Sequence, residues 1–133
     1  MRGLDTNVLL RFFIDDDPVQ AEAVKRGFRE TQARGERLFI STIVLCEALW
    51  TLRGKPYKFD RASLADMVKR LLKNTLFEVQ DRDLVHKALR DYQNGRADFA
   101  DYLVGWENRE AGCRDTLTFD RPISKHEGFF LLS

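Results

Sequence analysis

Apolar positions along the chain fall into short runs separated by longer stretches with helical spacing. Leu38-Phe39-Ile40, Leu76-Phe77-Glu78-Val79, residues 115–119 and Phe129-Phe130-Leu131-Leu132 predict short buried strands. Gly3-Leu4 is a brief apolar lead into Asp5, so a first strand is expected to begin before it. Helices are expected over 8–13, 19–33, 43–52, 61–73, 84–93 and 98–109. In the second of these Val19, Ala23, Val24 and Phe28 share one side, and in the fourth Leu64, Met67, Val68, Leu71 and Leu72 point inward. The boundaries carry their own signals. Asp15-Asp16-Asp17-Pro18 reads as a solvated loop that caps the next helix, Ser41 or Thr42 and Asp60 read as further caps, and Gly35 and Gly112 read as helix stops. Strands alternating with helices predict an α/β fold with a largely parallel sheet and helices on both faces.

Length and composition narrow this only modestly. At 133 residues and 44% hydrophobic content the chain is large enough for one domain with a real core, and residues 1–133 are read as a single domain. A formal charge of +1 does not announce a nucleic-acid binder, although an acidic pocket and a basic rim would cancel in that sum. No apolar run approaches the roughly 18 residues of a membrane span. The first residues turn acidic at once, without the apolar core of a signal peptide. Cys46 and Cys113 lack metal-ligand spacing and read as reduced thiols, so the expectation is a cytoplasmic protein with no membrane association.

The chemistry is carried by acids. Asp98 and Asp101 are three apart at the start of a helix and share a face. Asp120 stands where a strand stops, the edge at which open α/β sheets place their ligands, and Asp5 falls at a strand-to-helix junction, where a cap is an equally good reading. Glu47 is the one charge in an otherwise apolar helix, which predicts a buried carboxylate either paired with an arginine or aimed at a metal. Asp5, Asp120 and the start of the Asp98 helix are expected to converge on one edge, with Glu47 reaching in. Carboxylates so gathered repel one another unless cations bind, and oxygen-only donors favour Mg²⁺ or Mn²⁺. Such a cluster suits phosphodiester hydrolysis, with Glu47 or Asp98 orienting the attacking water. His86 and His126 lie outside these motifs and read as ordinary surface and loop residues. Residues 53–60 form a basic, aromatic loop that either is a solvated turn or grips phosphates and bases.

The order Leu4-Asp5-Thr6-Asn7, a glutamate in an apolar helix after Ile40-Ser41, Ala97-Asp98-Phe99-Ala100-Asp101-Tyr102-Leu103, and Thr116-Leu117-Thr118-Phe119-Asp120 resembles the PIN-domain family, and within it the VapC-type toxins of prokaryotic toxin–antitoxin pairs. The resemblance spans essentially the whole chain. It implies a three-layer α/β/α fold, a Mg²⁺- or Mn²⁺-dependent endoribonuclease, a homodimer, and a cognate antitoxin that holds the enzyme inactive. Asp5, Glu47, Asp101 and Asp120 match the family's acidic quartet, and Asp98 is an additional acid able to exchange roles with Asp101. Thr6, Asn7 and Thr118 match polar residues that orient the acids. Arg11, Arg53, Lys55, Lys58 and Arg96 are the candidates for RNA contact. The alternative is a PIN module that binds RNA or a protein without cutting. Two stretches depart from the family pattern: Tyr102, Gly105 and Trp106 replace smaller residues, and residues 121–129 lack the usual acid-aromatic pair.

Overall fold

A computed structural model describes residues 1–133. They form two compact units, Met1–Arg82 and Asp83–Ser133.

The first unit contains β1 (Arg2–Gly3), α1 (Thr6–Phe13), α2 (Pro18–Ala33), β2 (Leu38–Ile40), α3 (Thr42–Arg53), α4 (Arg61–Lys73) and β3 (Phe77–Val79). The three strands make one parallel sheet with β2 in the middle; Arg2 lies opposite Leu38, and Leu38 opposite Phe77. Leu38, Ile40, Phe77 and Val79 are buried, so the strands read as short apolar runs, as covered parallel strands do. Arg37 clamps the entry to β2 by donating to the carbonyls of Thr75 (2.9 Å) and Phe77 (2.7 Å). The helices begin at side-chain caps: Asp5, Asp17, Ser41 and Asp60 each accept the N–H three residues on.

The inward face of α2 differs from the expectation. Val19 is 81% exposed and Ala23 is also exposed, while Ala21 and Thr31 are buried. Val24 and Phe28 do lie half-buried on it, with the Phe28 ring 5.8 Å from buried Phe77, but the face continues through a polar residue that apolar periodicity does not see. The Thr31 hydroxyl donates to the Gly27 carbonyl (2.8 Å) and accepts from the Arg2 guanidinium (3.0 Å), which ties α2 to β1 with its polar atom satisfied.

The second unit contains all but the first residue of α5 (Arg82–Asn94), followed by α6 (Phe99–Glu110), β4 (Thr116–Thr118), α7 (Arg121–Ser124) and β5 (Phe129–Leu131). Here β4 and β5 are parallel, with Thr116 opposite Phe129 and Thr118 opposite Leu131. Val85, Ala88, Leu89, Tyr92, Phe99, Tyr102, Leu103 and Ile123 form the buried core. The expectation of an α/β fold built on short parallel strands holds. The short helix α7 was not expected; it begins at Asp120 with Pro122 in its first turn, a position proline favours.

Candidate functional site

In the first unit, Asp5 stands two residues past β1 and caps α1, its Oδ1 accepting the Val8 N–H at 3.0 Å. That is the carboxyl edge of a parallel sheet, where strand ends and helix starts gather. The start of α3 is fixed at the same edge: Gln80, just past β3, accepts the Thr42 N–H at 2.9 Å. Thr6 follows Asp5 and donates its hydroxyl to Glu47 Oε1 at 3.2 Å. One dipeptide therefore supplies a carboxylate and the group that holds a second. Asn7 is exposed beside them.

Glu47 does not sit in an apolar interior. Leu45, Ala48, Leu49 and Leu52 are buried, but Glu47 is exposed, on the same side of α3 as Ile43 (70% exposed) and Trp50 (75% exposed). The expected burial rested on reading every apolar residue as core. Ile43 and Trp50 are apolar and outward, so α3 buries one face and Glu47 belongs to the other.

In the second unit Asp98 is the N-cap of α6 and Asp101 its third residue, and the two form a reciprocal capping box. The Asp98 N–H donates to Asp101 Oδ2 at 3.2 Å. Both carboxylates are half-buried at the helix start. Asp120 is exposed at the end of β4, and its N–H donates to the Thr118 hydroxyl at 3.0 Å, so Thr118 shapes the turn on which Asp120 stands. Within neither unit do three His, Cys, Asp or Glu side chains close on one point as a ready-made cation site. The donors in these motifs are nonetheless all carboxylate oxygens, with hydroxyls behind them and no thiolate or imidazole. That donor chemistry fits a hard divalent cation.

The basic candidates separate. Arg11 is committed within its own unit: it donates to Gln20 (2.8 Å) and pairs with Asp16, which also accepts from the Tyr57 hydroxyl (3.1 Å). The Tyr57 hydrogen bond first, and then Asp16, holds the Arg11 guanidinium above its ordinary range, against some desolvation. Lys55 and Lys58 are exposed, and Arg53 and Arg96 also lie at the surface. Asp60, the cap of α4, is held below the usual aspartate range by the N–H of Ser63. Cys46 and Cys113 form no disulfide.

One group lay outside every sequence motif. Asp91 Oδ2 accepts from Trp106 Nε1 at 2.7 Å and lies 3.2 Å from His126 Nε2, so His126 is no ordinary loop residue. Asp91, Trp106 and His126 are far apart in sequence with no common period. The only signal was that Trp106 and His126 both lie in the stretches that depart from the family pattern.

A PIN-domain family model matches residues 4–124. The chain belongs to the PIN-domain family. The matched span of this PIN domain contains all five candidate acids and ends before His126 and β5. Among characterised proteins, the PIN domain is similar to a VapC ribonuclease of Aquifex aeolicus (strain VF5), with 28% identity over 125 residues that cover 94% of this chain and 91% of the relative. No helix is long and apolar enough to cross a membrane.

Proposed function

We propose that this PIN domain is a metal-dependent endoribonuclease acting as the toxin of a toxin–antitoxin pair. The observation that carries the reading is the similarity to a VapC ribonuclease along nearly the whole of both chains, with Asp5, Glu47, Asp98, Asp101 and Asp120 all present. Asp5, Glu47, Asp101 and Asp120 would hold Mg²⁺ or Mn²⁺, which when bound supplies a nucleophilic water and offsets charge on the phosphoryl oxygens. The chain's own contribution is orientation. Thr6 holds Glu47 through Oε1 and leaves Oε2 for a second partner. The capping box fixes the rotamers of Asp98 and Asp101, and Thr118 fixes the turn carrying Asp120. Glu47 or Asp98 orients the attacking water. Lys55, Lys58, Arg53 and Arg96 contribute charge along the RNA path. The partners on this reading are the RNA substrate, a cognate antitoxin and a second copy of the chain, acting in the cytoplasm.

The test is a metal titration on a broad RNA panel, with protein freed of co-purifying partner. RNA consumed only when Mg²⁺ or Mn²⁺ is supplied, and spared in EDTA, is the expected result. RNA held but not consumed at any metal level would establish a non-catalytic binding module instead.

A further inference from the structure

Trp50 holds its indole in solvent, 75% exposed, although that ring is the largest apolar surface α3 has to bury. Helical spacing fixes its neighbours. Ile43, Glu47, Trp50 and Arg53 follow one another at steps of four and three residues, and all four are exposed, so they form one outward stripe along α3. On such a stripe the Cβ atoms of Glu47 and Trp50 lie about 5–6 Å apart, as do those of Trp50 and Arg53.

Both ends of the stripe are held in place. At one end the Thr6 hydroxyl donates to Glu47 Oε1 at 3.2 Å. At the other, the loop after α3 folds back on the helix: the Lys58 N–H donates to the Gly54 carbonyl (2.8 Å) and the Phe59 N–H to the Leu52 carbonyl (2.9 Å). Lys55 is exposed within that turn, two residues beyond Arg53. The order along the surface is therefore carboxylate, indole, guanidinium, ammonium. Glu47 and Arg53 are separated by about 9 Å of helix axis, the span of two to three stacked nucleotides at about 3.4 Å each. An apolar protein surface is a poor occupant. Covering Ile43 and Trp50 together would bury the Glu47 carboxylate between them, which is costly without a partner. A nucleobase needs only the ring face and leaves its phosphates to the cations beyond.

We propose that Trp50 is a substrate-contact residue, on which the base beside the scissile phosphate stacks while the strand continues toward Arg53 and Lys55. This role depends on the ribonuclease reading, since Glu47 belongs to the site that would hold that phosphate. Stacking tolerates every base, so Trp50 contributes affinity more than sequence preference.

The test uses the full-length protein and a 2′-O-methyl oligoribonucleotide that resists cleavage. Binding of a fluorescein-labelled oligomer is followed by anisotropy for the wild type, Trp50→Phe and Trp50→Leu. Trp50→Leu keeps an apolar side chain and loses the ring, and it is expected to raise Kd about tenfold, with Trp50→Phe raising it much less. Unlabelled oligomer should quench the wild-type indole emission saturably. That quenching should vanish in Trp50→Phe, where Trp106 is the remaining indole. The altered side chain is exposed, and far-UV circular dichroism checks that each variant is folded. Equal Kd values for wild type and Trp50→Leu, or quenching that survives in Trp50→Phe, overturn the proposal. A particle mass that differs between wild type and Trp50→Leu in sedimentation equilibrium also overturns it, since the indole is then covered by a second copy of the chain. The two readings fail separately. Metal-dependent cleavage that is lost in Asp5→Asn, together with undiminished oligomer binding by Trp50→Leu, removes the stacking role alone. A wild type that neither binds nor cleaves RNA removes both.

Discussion

Thr6 and Glu47 stand 41 residues apart and are joined by one hydrogen bond, hydroxyl to Oε1, at 3.2 Å. Thr6 opens α1 immediately after the cap Asp5, and Glu47 lies on the exposed face of α3, which packs against α1. An exposed glutamate keeps several rotamers unless something selects one. Removing the hydroxyl should therefore loosen the carboxylate without opening the core. Thr6→Val is expected to lower kcat/KM for metal-dependent RNA cleavage by about tenfold or more, while Thr6→Ser retains most of it. Equal activity in the valine and serine variants would show that this bond does not position Glu47.

Gly105 and Phe129 give a stability test within the second unit. Alanine at Gly105 gains about 1 kcal/mol of helix propensity but places a Cβ 2.7 Å from the tip of the half-buried Phe129 ring, which must shift from its packed position at a cost of roughly 1–3 kcal/mol. Gly105→Ala is expected to destabilise by about 1 kcal/mol net in urea unfolding. Phe129→Leu frees the space, so the double variant should recover part of the loss, and the coupling reads out directly in the cycle. Additive effects would place the ring elsewhere.

Asp60 supplies a pH dependence whose sign is fixed. Its carboxylate is held below the usual aspartate range because, as the cap of α4, it accepts the Ser63 N–H. A group with a lowered folded value contributes stability above its unfolded value and loses it as pH falls through the folded one. Asp60→Asn keeps an amide oxygen as the cap and removes the titration. The difference in unfolding midpoint between wild type and Asp60→Asn should be flat near neutrality and shrink or reverse as pH drops below the ordinary aspartate range. A difference independent of pH would contradict this assignment.

Lys55 and Lys58 lie exposed in the loop between α3 and α4. If they contact phosphates, replacing both with alanine reduces the salt slope of RNA binding by about 0.7 per lost contact. Binding measured in an Asp5→Asn background, at several salt concentrations, gives that slope. An unchanged slope removes the loop from the RNA path.

Much of the fold was legible because local chemistry and hydrophobic period agree. The helix over 61–73 was expected at the bounds it has, since Asp60 caps it and Leu64, Val68, Leu71 and Leu72 all face inward. In α2 the period was half right: Val24 and Phe28 lie on the packed face, but Val19 and Ala23 are exposed and the face also takes in Thr31, a polar residue satisfied by Arg2 and the Gly27 carbonyl that hydrophobic period cannot flag. Hydrophobicity also misled at Glu47, because Ile43 and Trp50 are apolar and outward. The cap reading of Asp5 is realised, and the Asp98–Asp101 pair, read from the sequence only as two acids on one helix face, also forms a capping box; a carboxylate that caps with one oxygen still offers its other one. The Asp91–Trp106–His126 group was out of reach, since a contact between residues 15 and 35 positions apart leaves no local spacing to read.

The central claim is that the acids form a nuclease site, and Asp5→Asn tests it most directly. Asparagine keeps a cap oxygen for the Val8 N–H, so the fold should survive while the charge is lost. Purified wild type and Asp5→Asn are compared on the same RNA with Mg²⁺ or Mn²⁺ and with EDTA. The account expects cleavage by the wild type that requires metal, and a loss of about a hundredfold or more in Asp5→Asn at unchanged folded content. Cleavage that persists undiminished in Asp5→Asn, or in EDTA, would contradict it.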